Sequence, residues 1–326
     1  MFRCKNKMVA IWLCGVGSVF SQRTDAMETE RASPRYSDID LWEPGDILDA
    51  LIEGQMAAVA TVRPVLGTID RAAAAIETRL RQGGRLIYAG AGTSGRLAVQ
   101  DGAELIPTFN WPPEQLLLLM AGGNEALLRS VEGAEDEVEH ASKLAQDHGI
   151  GAADALIAVA ASGTTPFTLS CLRRAKERGA LTTGIANNQL APLLQEADYP
   201  IFLDTGAEPI AGSTRMKAGT AQRVALNLLS TLTMIRLGRV HQGLMVDMQA
   251  INAKLVSRSE TILSKISGRT GEEVRDALQE ADQSIKIAML LLQGCSKEQA
   301  HALLKEAGGN LRTALTLADG AKIAPQ

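Results

Sequence analysis

Residues 85–97, RLIYAGAGTSGRL, decide the fold, because a short apolar run enters a glycine-rich loop and helical character resumes at Arg96. This order predicts a strand, a loop and a helix. The loop fits the pattern G-x-G-x-x-G of dinucleotide-binding proteins, which is a weak signal when it stands alone. A dinucleotide site also expects an acidic residue at the end of the second strand, but Ala121, Gly122 and Gly123 stand there. The nicotinamide interpretation is therefore disfavoured.

The same unit of strand, loop and helix recurs along the chain. Five short apolar runs alternate with helical segments, at residues 85–89, 116–120, 155–160, 181–186 and 199–203. Continuous apolar runs indicate strands that are buried on both faces, as in parallel sheets. We therefore predict an α/β fold with a doubly wound, parallel, five-stranded sheet. Ligands of such sheets bind at the carboxyl ends of the strands.

Helical patterns flank the predicted sheet. Apolar residues at helical spacing predict two helices within 46–82 and one long helix over 216–235, and the chain after Gln242 is predicted to be helical throughout. The tail contains a repeat, since 272–289 matches 298–315. This repeat predicts two helical hairpins in a small C-terminal bundle. Its apolar stripes carry few polar residues, which favours a packing or dimer-supporting role over a ligand site.

We divide the chain into four parts: an N-terminal extension at 1–26, an N-terminal helical segment at 27–82, the α/β domain at 83–240, and a C-terminal helical region with the hairpin repeat at 241–326. The extension begins with basic residues before an apolar run at 8–20, which resembles a short secretory signal. That run is too short to span a bilayer. Met27 is a second plausible start of translation. We therefore favour the view that residues 1–26 result from assigning the start too far upstream, with a working secretory signal as the alternative. A cytoplasmic location without membrane attachment follows.

The composition narrows the classes of partner. The chain has 46% hydrophobic and 21% charged residues and a formal net charge of -4, which is typical of an ordinary globular protein. The acidic balance and an aromatic content of only 3% argue against nucleic acid as a partner. The cysteines and histidines do not cluster at ligand spacing, so no metal site is predicted. Scattered cysteines are typical of thiols in a reducing compartment.

Hydroxyl side chains cluster at three predicted helix starts. Thr93 and Ser94 follow Gly92 in the first loop, where hydroxyls and backbone N–H groups suit the oxygens of a single phosphate. A phosphomonoester is therefore the predicted ligand. The other candidates for binding the substrate or its phosphate are Ser162, Gly163, Thr164, Thr165, Glu208, Ser213, Thr214, Arg215 and Lys217. For any one hydroxyl, ordinary N-capping is the commoner explanation, and the two cations could instead form salt bridges at a helix start.

Two glutamates are candidates for proton transfer. An apolar stripe at helical spacing predicts a helix whose buried side includes Glu135. The stripe consists of Leu127, Leu128, Val131, Ala134 and Val138. A carboxylate among apolar neighbours suits proton transfer near neutral pH, and the pattern favours this role and a structural one equally. Glu104 lies in a short helix that is predicted to end at Pro107; it could lie beside the loop, although the pattern alone favours a solvated position.

At these residues the chain resembles the sugar isomerase (SIS) fold family and, within it, the N-acetylmuramic acid 6-phosphate etherases, from about Met27 onward. Five stretches carry the resemblance: 85–97 (RLIYAGAGTSGRL), 131–136 (VEGAED), 161–166 (ASGTTP), 212–222 (GSTRMKAGTAQ) and 244–248 (LMVDM). A generic SIS domain would not share all five. The chain departs from the family pattern at 102–107 (GAELIP), where the family commonly has Ala-Ser-Glu before Pro-Pro, and at Thr164, where it commonly has Arg.

The resemblance implies that the substrate is N-acetylmuramic acid 6-phosphate and that the products are N-acetylglucosamine 6-phosphate and D-lactate, in the recycling of cell-wall sugar. In the family the ring opens, the C2 proton is removed, lactate is eliminated from C3, and water adds to the unsaturated aldehyde. By motif, the catalytic pair falls on Glu104, as acid toward the departing lactate, and Glu135, as base toward C2. The resemblance implies no metal or redox cofactor, and a homodimer with sites near the subunit interface.

Two other functions stay open on the sequence. An aldose-ketose isomerase of phosphosugars would share the fold and the phosphate loop, but it usually needs a ring-opening histidine, for which His241 is the candidate. A non-catalytic sugar-phosphate-binding regulator could dispense with both carboxylates. The presence of Glu104 and Glu135 therefore favours catalysis.

Overall fold

The core of the protein is a parallel sheet, seen in a computed structural model that describes residues 27–248 and 253–323. The run at 8–20 and the rest of the extension lie outside the described residues. The strands are β1 (Leu86–Gly90), β2 (Leu116–Met120), β3 (Ala155–Val159), β4 (Leu181–Ala186) and β5 (Tyr199–Phe202). They are ordered β2-β1-β3-β4-β5 and all pairs are parallel. The predicted strands and the α/β fold class are confirmed.

The strand order creates a crevice at one edge of the sheet. After β1 the chain moves to one side to form β2, and it then crosses to the other side of β1 to form β3. Connections that leave neighbouring strands in opposite directions open a crevice at the carboxyl ends, where ligands of such sheets bind. Gly90 pairs with Val159 at the ends of β1 and β3. The loops that follow these two strands therefore start side by side.

Helices cover both faces of the sheet. They are α1 (Pro44–Ala60), α2 (Leu66–Arg81), α3 (Gly92–Phe109), α4 (Val138–Asp147), α5 (Pro166–Glu177), α6 (Pro192–Glu196) and α7 (Lys217–Arg236). In β3, Ile157 belongs to the apolar core beneath α2, α3 and α7, whereas the adjacent Leu156 belongs to the core beneath α4, α5 and α6. Side chains that alternate between two cores explain why the strands read as continuous apolar runs.

Helix α1 forms an outer layer against α7. It buries the small residues Ala50, Gly54 and Ala58, which allow the two helices to approach closely. The opposite side of α1 is also apolar but is 46% to 67% exposed, at Leu48, Ile52, Met56 and Val59. The two helices predicted within 46–82 are confirmed as α1 and α2, and the short 3-10 turn Arg63–Val65 joins them.

The prediction of helix throughout the region after Gln242 is wrong at its start. Two short strands, β6 (Val240–His241) and β7 (Leu244–Met245), pair antiparallel there. The turn between them is Gln242-Gly243, and both residues have positive φ, 49° and 75°. Two such residues in succession form the tight turn that suits the twist of a hairpin. Short hairpins of this kind leave no apolar periodicity that a sequence pattern can detect.

The C-terminal region has its own apolar core. It contains α8 (Ala253–Ser267), α9 (Glu272–Glu280), α10 (Ile285–Leu292), α11 (Lys297–Glu306) and α12 (Leu311–Ile323). The two halves of the sequence repeat form two helix pairs, α9 with α10 and α11 with α12. Equivalent alanines, Ala281 and Ala307, follow the first helix of each pair. Within the described ranges, no helix has both the length and the apolar character needed to cross a membrane.

Candidate active site at the carboxyl edge of the sheet

The first loop brings the start of α3 into direct contact with the end of β1. A methyl group on Gly95 would lie 2.4 Å from Sδ of Met120 and 2.7 Å from the backbone carbonyl of Gly90. Gly92, the first residue of α3, has a φ of 53°, in the left-handed region that favours glycine. Thr93 and the buried Ser94 follow in the first turn, whose free backbone N–H groups point out of the helix start. The predicted loop residues therefore lie where an anion binds favourably.

We expect Gly95→Ala to destabilise the fold, because the added methyl group meets backbone atoms that cannot rotate away. Overpacking of this kind costs about 1–3 kcal/mol in the free energy of unfolding. Urea denaturation measures the loss. Gly45→Ala is the matched control, since it lies in the first turn of α1 with nothing within 4 Å of an added methyl group. Equal stability of the two variants would contradict the tight contact.

The second hydroxyl segment lies beside the first. Ser162, Gly163, Thr164 and Thr165 connect β3 to α5, and Gly163 has a φ of 66°. The hydroxyl of Ser162 accepts a hydrogen bond from the backbone N–H of Thr164 at 3.2 Å. Thr165 is the N-cap residue of α5, yet its side chain accepts no bond from the first turn of the helix. Ordinary capping therefore does not explain this hydroxyl.

The third segment precedes α7. Ser213 and Thr214 are half-buried and Arg215 is exposed, and no hydroxyl caps α7. A methyl group on Gly219, in the first turn of α7, would lie 3.6 Å from Cγ2 of Thr93. This short distance places the beginning of α7 against the beginning of α3. All three segments thus converge on the same edge of the sheet.

Two predicted binding residues, Glu208 and Lys217, are engaged in holding α7. Glu208 is fully buried, and its carboxylate accepts hydrogen bonds from the backbone N–H groups of Lys217 (2.9 Å) and Ala218 (2.8 Å). Carboxylates are favourable at a helix N-terminus. The Lys217 ammonium donates to the carbonyl of Thr205 at 2.6 Å. Burial lowers the pKa of Lys217, while the Glu208 carboxylate opposes the shift. Both side chains therefore position the start of α7 in this chain.

The predicted helix around Glu135 is absent, and this carboxylate is not buried in the chain. Two short 3-10 turns, Gly123–Leu127 and Ala134–Asp136, replace the helix. Gly122 and Gly133 precede these turns with φ of 78° and 74°, conformations that end regular helix. Leu128, which the prediction placed on a buried stripe, is 93% exposed. The helical spacing of the apolar residues was therefore misleading.

Glu135 nevertheless faces the first loop. It lines a cavity of about 270 Å³ together with Gly92, Arg96, Ser130 and Glu132. Arg96 is held at the wall of this cavity, since its Nε donates to the carbonyl of Ala126 at 2.9 Å. The structure thus brings one predicted catalytic carboxylate and one residue of the predicted phosphate loop into a single cavity.

Glu104 is not in that cavity. It lies twelve residues after Gly92 in α3, or about 18 Å along the helix axis, and its side chain is 54% exposed. Helix α3 continues past Pro107, because a proline in the last turn removes only a single hydrogen bond. The helix ends at Phe109, since Asn110 has the left-handed conformation of a helix C-terminus (φ 49°). A position beside its own loop is therefore excluded for Glu104.

A network of charged side chains holds Glu104 on the flank of α3. The Arg223 guanidinium, on α7, lies 3.6 Å from the Glu104 carboxylate and donates to Asp101 at 3.1 Å. Tyr88 donates its hydroxyl hydrogen to the same Asp101 carboxylate at 3.0 Å. Burial raises the pKa of Asp101 and raises that of Tyr88 well above its usual value. Gln100 donates a further hydrogen bond to Glu104 at 3.2 Å.

His241, the candidate of the isomerase alternative, lies far from the loops. It belongs to the β6–β7 hairpin after the twenty-residue α7, which spans about 30 Å from the site edge. Its side chain is buried, and burial together with Arg312 lowers its pKa. Within one chain it therefore cannot reach a sugar at the carboxyl edge of the sheet.

Sequence reasoning missed a segment that we call the N-terminal strap, residues 27–31. Thr29 is fully buried, and its hydroxyl accepts a hydrogen bond from Nδ2 of Asn188 at 3.2 Å. The carbonyl of Thr29 accepts from the backbone N–H of Gly212 at 3.0 Å. The strap lies in a polar stretch with no periodicity, so the sequence contains no local signal for its place at the site.

Comparison with protein-family models identifies a SIS domain in the region of the parallel sheet. Residues 68–176 match the family described as "Glucokinase regulatory protein N-terminal SIS domain", and residues 126–232 match "SIS domain". A phosphoheptose isomerase from Francisella tularensis has 18% sequence identity and a TM-score of 0.41, over 60% of this chain and 96% of that chain. The two domain matches together cover the five strands of the parallel sheet and most of helix α7, which confirms the SIS assignment.

Comparison with curated proteins extends over nearly the whole chain. An N-acetylmuramic acid 6-phosphate etherase from Deinococcus radiodurans is 46% identical over 293 residues, which are 90% of this chain and 96% of the relative. Etherases of the same name from Mycolicibacterium smegmatis and Yersinia pestis are 41% and 42% identical, over 89% of this chain and 98% and 99% of the relatives. On this identity and coverage, the chain belongs to the N-acetylmuramic acid 6-phosphate etherase family.

Proposed function

We propose that this protein is a carbon-oxygen lyase that cleaves the D-lactyl ether of N-acetylmuramic acid 6-phosphate, yielding N-acetylglucosamine 6-phosphate and D-lactate. The observation that carries the proposal is the cavity shared by Gly92 and Glu135. A phosphate held at the start of α3 leaves the carbon skeleton of the sugar within reach of a carboxylate on the cavity wall. This arrangement suits proton removal from a carbon atom next to a carbonyl group.

The reaction needs two proton-handling groups. After ring opening, Glu135 accepts the proton from C2, and the electron pair of that C–H bond forms the C2–C3 double bond while the C3–O bond breaks. Glu104 donates a proton to the departing ether oxygen, which leaves as the hydroxyl of D-lactate. Water then adds its hydroxyl to C3 and gives its remaining proton to Glu104. Glu135, whose proton exchanges with solvent, gives a proton back to C2. Each step balances without a redox change. The predicted hydroxyl residues, among them Thr93, Ser94 and Thr164, hold the substrate.

The position of Glu104 favours a homodimer with composite sites. Glu104 lies about 18 Å from the first loop of its own chain, on an exposed flank of α3. We infer that it acts in the site of the partner subunit, where it faces the phosphate loop and Glu135 of that subunit. Arg223 and Gln100 then position the Glu104 carboxylate from the side opposite the sugar.

The exposed apolar stripe of α1 supports the same assembly. Its four residues repeat at helical spacing on one side of the helix, and Leu228 and Ile235 of the adjacent α7 are also exposed, at 38% and 45%. Apolar patches of this kind on a folded protein commonly mark interaction sites. We propose a second copy of this chain as the occupant, because α7 also carries Arg223 and thereby links the patch to Glu104.

We expect the double change Ile52→Glu with Met56→Glu to produce a monomer with little D-lactate release, because it places charges in the middle of the apolar stripe. Sedimentation velocity measures the mass, and an enzymatic lactate assay measures turnover. Val138→Glu is the matched control for the mass, since Val138 is also 47% exposed but lies on α4 at the opposite face of the sheet. A double variant that stays dimeric would contradict the proposed interface.

We further propose a cytoplasmic enzyme of amino sugar recycling, with 83–240 as its phosphosugar-binding domain. Cys171 and Cys295 are free thiols, and the first is buried with its pKa raised to about 12 by burial. Thiols of this kind fit a reducing compartment. The direct test incubates the purified protein with N-acetylmuramic acid 6-phosphate and measures D-lactate. Absence of lactate under conditions in which the protein is folded and dimeric would overturn the proposal.

A further inference from the structure

The N-terminal strap joins two of the three hydroxyl segments. Asn188, which bonds the hydroxyl of Thr29, also donates to the carbonyl of Ala161 at 2.9 Å, directly before the second segment. The carbonyl of Thr29 receives the N–H of Gly212 at the beginning of the third segment. Because Thr29 is fully buried between these two contacts, the backbone of the next residue, Glu30, is held in one place.

The Glu30 side chain lies over the third segment. A methyl group on Gly212 would be 2.9 Å from its Oε2 atom, so the space that a side chain would fill at Gly212 is taken by the carboxylate. Glu30 is exposed and forms no ion pair with any described residue, whereas the adjacent Arg31 pairs with Glu28 at 2.8 Å. A carboxylate without an ion pair to any described residue therefore stands over Gly212, directly before Ser213 and Thr214 in the chain.

The Glu30 carboxylate distinguishes the third hydroxyl segment from the other two by its negative charge. A phosphate bound next to Glu30 would be repelled, because like charges at a few ångströms interact unfavourably. At the start of α3 the cavity wall contains the guanidinium of Arg96 beside Glu132 and Glu135, and the first turns of α3 and α5 contain no acidic residue. We therefore place the phosphate on the free N–H groups of these two helix starts. Hydroxyl and amide N–H groups of a sugar, by contrast, donate strong hydrogen bonds to an ionised carboxylate.

We propose that Glu30 is a sugar-binding residue whose carboxylate accepts hydrogen bonds from a hydroxyl or the acylamino N–H of the substrate. The segment with Ser213 and Thr214 then holds this end of the sugar, while the phosphate lies at the first and second segments. The inference rests on the proposed function for the class of ligand, a phosphorylated amino sugar. It concerns binding, so it can be tested without turnover.

Titration calorimetry of the wild-type protein and of Glu30→Gln, with two probes, tests the assignment. For N-acetylglucosamine 6-phosphate we expect the affinity of the variant to fall roughly tenfold, the scale of one lost charge-assisted hydrogen bond. For inorganic phosphate, measured as the second probe, the affinity should be unchanged or slightly higher, because a negative charge has been removed. Glu280→Gln is the matched control, since Glu280 is an exposed glutamate on α9.

Three results would overturn the inference. In the first, Glu30→Gln binds the sugar phosphate as tightly as the wild type does. In the second, the variant loses the same affinity for both probes, which would indicate a structural role. In the third, the wild-type protein does not bind the sugar phosphate. Failure of the proposed function has a different signature. In that case the wild-type protein releases no D-lactate, while the selective loss of sugar phosphate affinity in Glu30→Gln is still observed.

Discussion

Glu135→Ala is expected to lower D-lactate release by at least roughly a hundredfold, the scale of a lost general base. Glu135 shares a cavity with Gly92 of the phosphate loop and with Glu132, and the family motif assigns the C2 proton to Glu135, so its loss removes the proposed base. Affinity for N-acetylglucosamine 6-phosphate should persist, because the phosphate contacts come from other segments. Turnover is measured by an enzymatic lactate assay and affinity by calorimetry.

The control for this variant is Glu139→Ala. Glu139 is an exposed glutamate in the first turn of α4, four residues further along the chain and outside the cavity. It should release lactate at the wild-type rate. Near-wild-type turnover of Glu135→Ala would refute the assignment of the base. A solvent isotope experiment adds a second readout, since wild-type protein in D2O should place deuterium at C2 of the product and the variant should not exchange that position.

Glu104→Ala should be as inactive as Glu135→Ala, yet a mixture of the two variants should recover activity. If each site takes Glu135 from one subunit and Glu104 from the other, a mixed dimer contains one complete site and one site that lacks both carboxylates. Random pairing makes half of the dimers mixed, so the mixture should reach about a quarter of the wild-type rate. The gain over either variant alone is therefore more than tenfold if each variant retains about one hundredth of the activity.

The mixing experiment requires subunit exchange, which two different affinity tags on the variants can verify. Mixed dimers purified through both tags should have about half of the wild-type activity. If purified mixed dimers stay as inactive as the parents, Glu104 does not serve the site of the partner subunit. The double variant in a single chain, mixed with wild type, is the control, because its mixed dimers contain no complete site.

The sheet was predictable because its physical signal is local. Each strand is buried on both faces, so its residues form an uninterrupted apolar run such as Leu116–Met120 between segments with helical spacing. The hydroxyl segments were also found from sequence, since they follow these runs. The sequence does not show whether these hydroxyls cap helices. In the structure, the starts of α3, α5 and α7 are not capped by them.

The surroundings of the two glutamates were not predictable from periodicity. Around Glu135, glycines with positive φ, Gly122 and Gly133, interrupt a helical pattern that the apolar residues alone indicate. For Glu104, the pattern correctly indicated an exposed position, but the length of α3 determines how far it lies from the loop. The strap residue Thr29 is buried by contacts with residues more than 150 positions away. Contacts over such separations have no counterpart in a local pattern.

The direct contact of Gly90 with Gly95 fixes the two ends of the first loop against each other. The N–H groups at the start of α3 are thus aligned before any ligand arrives, and little conformational entropy is lost when an anion binds. A receptor of fixed shape selects by geometry. Tetrahedral oxyanions should therefore be held in preference to flat carboxylates of the same charge, and the loop should have the same conformation in the empty and the occupied enzyme.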